Sequence, residues 1–143
     1  KIDALAGRLM LTGTVQDEAA HKTLQKIVGE TDGIRQVFDY VQVSEARSFS
    51  KVAQDGLIST RLRTAMMTDQ AISAVNFIIR THRGVVYILG IAPTEEEAIR
   101  VVNHARTISG VVEVKLEFET VDEMMLAFGA AEELSNAEAS RER

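Results

Sequence analysis

The sequence predicts an α+β fold built from two tandem α-β-β-α-β units, each a three-stranded mixed sheet with its helices on one face. Three observations carry that prediction. First, the chain matches itself without a gap at an offset of 77 positions, so that Gly7 falls on Gly84, Gly13 on Gly90 and Gly33 on Gly110. Second, the apolar residues between those glycines coincide in type: Leu9 with Val86, Leu11 with Ile88, Leu24 with Val101, Val37 with Val114. Third, both copies pass from strand-like alternation to helical spacing and back. Self-similarity at a fixed offset marks a repeated structural unit.

In the first copy, residues 2–6 read as the end of one strand and 8–15 as the next. Asp17 suits a helix N-cap, and Ala20, Leu24, Ile27 and Val28 form the apolar stripe behind it. Gly33 is expected to end that helix in a left-handed cap, and 34–43 is the return strand. Only six residues precede Gly7, so the chain is expected to begin inside its first unit, without that unit's first helix. In the second copy, 55–68 reads as a helix and 75–82 as a strand leading to a tight turn at Arg83-Gly84. "GVVYILG" follows as the second hairpin strand. Thr94 with Glu97 is a capping-box pattern, and Ala98, Val101, Val102, Ala105 and Ile108 form the stripe. Gly110 stops this helix before a strand at 111–121. Gly13 and Gly90 suit a strand end or bulge. The expected bounds are 1–43 for the first unit, 44–54 for a linker, 55–121 for the second unit, and 122–143 for an amphipathic C-terminal helix frayed from about Ser135.

Composition narrows the function. A net charge of −5 argues against a general nucleic-acid binder, which needs a basic face. The absence of Cys excludes disulfide and thiol chemistry from these residues. No apolar run is long enough to span a bilayer. There is no signal peptide, and a start at Lys1 rather than Met suggests processing or truncation upstream. His21, His82 and His104 lack helical spacing for a metal and read as boundary residues. Glu95, Glu96 and Glu97 complement a helix dipole more simply than they form a catalytic pair. We therefore expect neither enzymatic activity nor a cofactor.

Residues 55–120 resemble a BON domain (bacterial OsmY and nodulation) through "DGLISTRLRTAMMTD", "RGVVYILGIAPTEEEA" and "ISGVVEVKLEF". "AGRLMLTGTVQDEAA" and "TDGIRQV" are similar to the second half of the same domain. The tandem arrangement resembles dual-BON lipoproteins of Gram-negative envelopes. That resemblance implies a periplasmic protein tethered to the outer membrane, binding phospholipid and supporting envelope integrity. Those lipoproteins carry a signal sequence and a lipidated Cys, and neither is among these residues.

The helix at 55–68 offers a surface for such contact. Ile58, Leu62, Ala65 and Met66 share the face expected on the sheet, whereas Leu57 and Met67 fall outside that arc. Arg61 and Arg63 flank them, and Arg47 and Lys51 lie just upstream around Phe49, with Asp55 the one acid in the stretch. Basic side chains over an anionic phospholipid surface gain about 1 kcal/mol each, and apolar ones reach below the headgroups. The residues alone fit a plainer account equally well: Leu57 and Met67 pack on the other unit and the arginines are solvated.

A second candidate surface lies on the sheets. In the last strand Val114, Leu116 and Phe118 share a buried face, while Lys115, Glu117 and Glu119 share a solvated one. Tyr87 and Leu89, and Phe38 and Tyr40, point away from their core-facing neighbours and mark an interface between units or subunits. Met124, Met125 and Phe128 begin an apolar stripe on the C-terminal helix. The rival to membrane binding is thus a structural module, joining copies of itself or an envelope partner through sheet faces and tail.

Overall fold

A computed structural model describes residues 1–46 and 48–142. The first unit runs β1 (Ile2–Leu5), β2 (Arg8–Val15), α1 (Glu18–Gly29) and β3 (Gln36–Val43). The second runs α2 (Phe49–Thr68), β4 (Phe77–His82), β5 (Val85–Ala92), α3 (Glu95–Thr107) and β6 (Glu113–Thr120), and α4 (Val121–Arg141) follows. Each sheet has three strands, in the orders β1-β2-β3 and β4-β5-β6, with one antiparallel and one parallel pairing. The offset of 77 holds down to the register: Ile2 pairs with Leu11 as Ile79 with Ile88, and Leu9 with Val37 as Val86 with Val114.

The matching glycines explain themselves in space. Both hairpins turn through two residues of positive φ, Ala6-Gly7 and Arg83-Gly84. A Cβ on Gly7 would lie 3.0 Å from the Gly33 carbonyl oxygen, and one on Gly84 would lie 2.9 Å from that of Gly110. The turn of each unit therefore rests on the backbone beside the later glycine. That later glycine is not the helix cap expected from the sequence. The caps are Glu30 and Ile108, and Gly33 and Gly110 turn the chain a few residues further on, with φ of 82° and 94°. Gly13 and Gly90 lie inside β2 and β5 rather than at a strand end, for reasons that differ between the units.

Other boundaries also move. The second unit's first helix begins at Phe49, so residues 49–54 of the expected linker are helical. No Gly or Pro interrupts them and Ser48 stands extended at the N-cap position, so the helix nucleates early. A 3₁₀ turn, Ala74–Asn76, replaces the start of the strand expected at 75. The C-terminal helix does not fray at Ser135. It is closed at its start by a capping box of Thr120 with Glu123, and its Ala- and Glu-rich sequence carries it to Arg141.

The helices lie outside and the two sheets face each other. Ile58, Leu62 and Met66 of α2, with Val101 and Ala105 of α3, pack on Phe77, Ile79, Val86 and Ile88. The first unit has a smaller outer layer of Leu9, Leu11 and Val28, completed by Leu24, Ile34 and Val41. Between the sheets, Met10, Tyr87 and Leu89 are fully covered, with Phe38, Tyr40, Ile78 and Val85 around them. Glu117 and Glu119 do not face solvent as the alternation of the last strand suggested. They turn into this layer, where Tyr40 donates to Glu117 and Arg35 makes a bidentate pair with Glu119, one arm at 2.7 Å. The opposite unit supplies the phenol and guanidinium that make burial of those carboxylates tolerable. Asp3 and Arg80 add a second bidentate pair across the units, at 2.6 and 2.8 Å.

Candidate functional site

The best-formed exposed feature with one consistent chemistry is the outer ridge of α2. Its rotation is fixed from beneath. Leu62 and Met66 have essentially no solvent exposure, and they anchor the inner face. Asp55, the acid within the basic stretch, is buried and points inward. Its two carboxylate oxygens accept the hairpin amides of Arg83 and Gly84 at 2.9 and 3.0 Å. Ser59 bonds Thr81 at 2.8 Å. At the far end Asp69 accepts from Arg100 and pairs with His104, tying α2 to α3. Those bonds, Arg100 first and His104 second, hold the Asp69 carboxyl well below the usual range.

With Asp55 turned inward, all outward charge on α2 is positive. Lys51 and Arg61 are exposed and have no ion-pair partner among the described residues. Arg63 is also exposed, with one arm donating to the Ile79 carbonyl on the outer strand β4 at 3.0 Å. Leu57 is 48% exposed and Met67 78%, joined by Phe49 at 88% and Val52 at 53%. Lys51, Leu57 and Arg61 line an open groove of about 500 Å³ whose other wall is the Arg83-Gly84 turn and Val112. Arg63 and Val52 line a second groove, of about 620 Å³, toward β2 of the first unit. The two arginines therefore sit on opposite shoulders of the ridge. Arg47 lies outside the described residues.

Phe38, Tyr40, Tyr87 and Leu89 do not join this ridge. They meet in the covered layer between the units, where the Tyr40 and Tyr87 rings lie 4.8 Å apart. Burial, then the bond to Glu117, pushes the Tyr40 hydroxyl far above its ordinary value. These sheet faces are therefore consumed within the chain, and the rival reading keeps only the tail as an open surface. On α4, Met124 is half-buried, Met125 is exposed, and Phe128 lies under the Arg35 guanidinium at 5.3 Å.

Two contributors to the α2 groove escape sequence reading, Arg83 and Val112. They come from a hairpin turn and from the connection before β6, and helical periodicity reports only on its own helix. Val112 carried a faint signal, since it is an apolar residue at a position where the first unit has Arg35. Among the described residues no cluster of acids and histidines is arranged to hold a metal ion, and no helix is long and apolar enough to cross a membrane.

Comparison with known proteins gives the site a context. A protein of Anaplasma centrale named "Uncharacterized protein in gshII 5'region" is 29% identical over 76% of this chain and 72% of its own length. The "Outer membrane lipoprotein DolP" of Haemophilus influenzae is 27% identical over 81% of this chain and 60% of its own length. The "Osmotically-inducible protein Y" of Escherichia coli is 23% identical over 77% of this chain. The chain spans under two thirds of the length of these last two. The family model for the BON domain matches twice, over residues 1–45 and 54–122.

Proposed function

Because the chain belongs to the BON-domain family, matched in both of its units, we propose that it is a non-enzymatic protein of the bacterial envelope that adsorbs to anionic phospholipid through the ridge of α2. The observation that carries this reading is the sorting of charge on that helix: its one acid is buried on backbone amides, while Lys51, Arg61 and Arg63 flank exposed Leu57 and Met67. On a protein of net charge −5, such a ridge directs the molecule toward a negative surface one face first. The lipoprotein relative's name supports a place at the outer membrane; we place the protein on its periplasmic side, where binding would support envelope integrity.

Vesicle sedimentation tests the proposal. Binding is expected to vesicles containing phosphatidylglycerol, to weaken with salt, and to be negligible on phosphatidylcholine alone. Replacing Lys51 and Arg61 together by Gln removes roughly 2 kcal/mol of surface attraction, about a thirtyfold loss of affinity. Equal, weak binding to both vesicle types would remove the lipid reading.

A further inference from the structure

α4 is left without a partner over most of its length. Its first turns pack by Met124 and Phe128, but no residue of the helix is fully buried, and Met125, Leu126 and Leu134 are 62%, 73% and 67% exposed. Beyond Phe128 it continues for 13 residues, about 20 Å of helix.

Charge selects what covers it. α4 carries five acids, Asp122, Glu123, Glu132, Glu133 and Glu138, against one base, Arg141. Pairing with a second α4 would bring like charges together. The outer ridge of α2 is the opposite: three cations, no exposed acid, and exposed apolar side chains of its own. The two helices also match in length scale. On α4, Asp122, Gly129 and Glu133 edge a shallow notch. Asp122 and Glu133 are eleven residues apart, about 16 Å along the axis, and Lys51 and Arg61 on α2 are ten apart, about 15 Å. In a parallel alignment that sets Lys51 against Asp122 and Arg61 against Glu133, Leu57 falls opposite Gly129, where the absent side chain leaves room.

We infer that α4 of one molecule docks along the α2 ridge of a second copy. It does not reach its own: α2 covers the β4 edge of the sheet, whereas α4 leaves the β6 edge and leans on Arg35 of the first unit. Donor and acceptor surfaces are therefore different, and the contact is head-to-tail, building a closed ring where the rotation between copies closes and an open chain where it does not. The inference uses the ridge of the proposed lipid site but does not depend on lipid binding.

Sedimentation equilibrium of the full chain tests it. At low salt the average mass is expected to rise above the 15.7 kDa monomer with concentration and to fall back as salt is added. Glu133→Lys and Arg61→Glu should each weaken association about tenfold, and an equimolar mixture of the two variants should restore it, because the reversed charges again oppose. Gly129→Leu should weaken association without loss of helix by circular dichroism, since a Cβ there meets nothing within 4 Å in its own chain. Glu133→Lys should leave vesicle binding intact, whereas Arg61→Glu weakens both. A chain that stays monomeric throughout, association indifferent to Glu133→Lys, or a mixture that fails to recover would overturn the inference. A chain that associates but ignores vesicles would retain it and remove the lipid proposal.

Discussion

Ile2 and Ile79 hold the same place in the repeat, yet Ile2 is 58% exposed and Ile79 is 2% exposed. The difference is α2. It lies over Ile79, Val86 and Ile88 and gives the second unit a deep outer core, while among the described residues no such helix covers the matching face of β1. The first unit makes its compensating contacts on the other side of its sheet, through Met10, Phe38 and Tyr40 and the ion pairs of Asp3 and Arg35. One unit is held by its own helices, and the other leans on its neighbour. The helix that makes the difference is also the one that carries the outward cationic ridge, so the stability of the second unit and the proposed surface share a single element.

The largest test of that contrast is to hollow each outer core. Leu62→Ala should cost about 3–4 kcal/mol in denaturant unfolding, because Leu62 is fully enclosed. Leu24→Ala, half-buried at the corresponding layer of the first unit, should cost about 1–2 kcal/mol. Equal losses would mean that the two units unfold with equally deep cores.

A smaller effect separates two glycines at the same repeat position. A Cβ on Gly90 would lie 2.4 Å from the Phe77 ring, whereas one on Gly13 meets only the Lys1 backbone nitrogen at 3.8 Å. Gly13 is needed instead for its φ of 108°. Gly90→Ala should therefore lose about 1–3 kcal/mol by overpacking, and Phe77→Leu should recover part of it. Gly13→Ala should lose about 1–2 kcal/mol by backbone strain, and no neighbouring substitution should rescue it. A double-mutant cycle on melting temperature distinguishes the two.

The repeat, the hairpins and the stripes of α2 and α3 were legible because each rests on residues close in sequence: a glycine turn, a period of two or of 3.6. Two local readings were only half right: Ala20 and Ile27 of the expected α1 stripe are exposed while Leu24 and Val28 pack inward, and Thr94 caps α3 but the Glu97 carboxylate accepts from the Ser73 amide instead of closing a capping box. What was not legible required knowing the neighbour. Alternation in the last strand shows that Glu117 and Glu119 share a face, but not that Tyr40 and Arg35 wait opposite them. Asp55 reads as one acid in a basic run, and only the fold brings two hairpin amides to it. Leu57 and Met67 could be placed outside the core-facing arc of their helix, yet whether anything lay over them was a tertiary question.

The most specific effect, because it depends on pH, belongs to the contact by which the first unit leans on the second. The bond from Arg35, then the attraction of its charge, holds the Glu119 carboxyl below its ordinary value despite burial. Because the folded value is depressed, the stabilisation is complete above the ordinary carboxylate range and is lost as pH falls through the lowered folded value. Glu119→Gln should therefore reduce stability by about 1–3 kcal/mol at pH 7, and the gap from the parent chain should close on strong acidification. A gap unchanged by acid would show that the carboxylate charge is not what joins the units.

Asp3 lies across from Arg80, and Tyr40 from Glu117, each partner exactly one repeat away from the other. Residues in equivalent places touch one another only where a two-fold axis runs between them, so the chain is in effect a dimer fused into one polypeptide. In a dimer of identical halves Asp3 would oppose Asp3, or Arg80 Arg80 and Glu117 Glu117, like charges in contact, while Tyr40 would meet only a second phenol. The two halves are unlike at the axis, and each pair joins a hydrogen-bond donor of one half to a carboxylate of the other. That polarity makes each half a poor mate for a copy of itself, and so guards against like-with-like exchange between molecules.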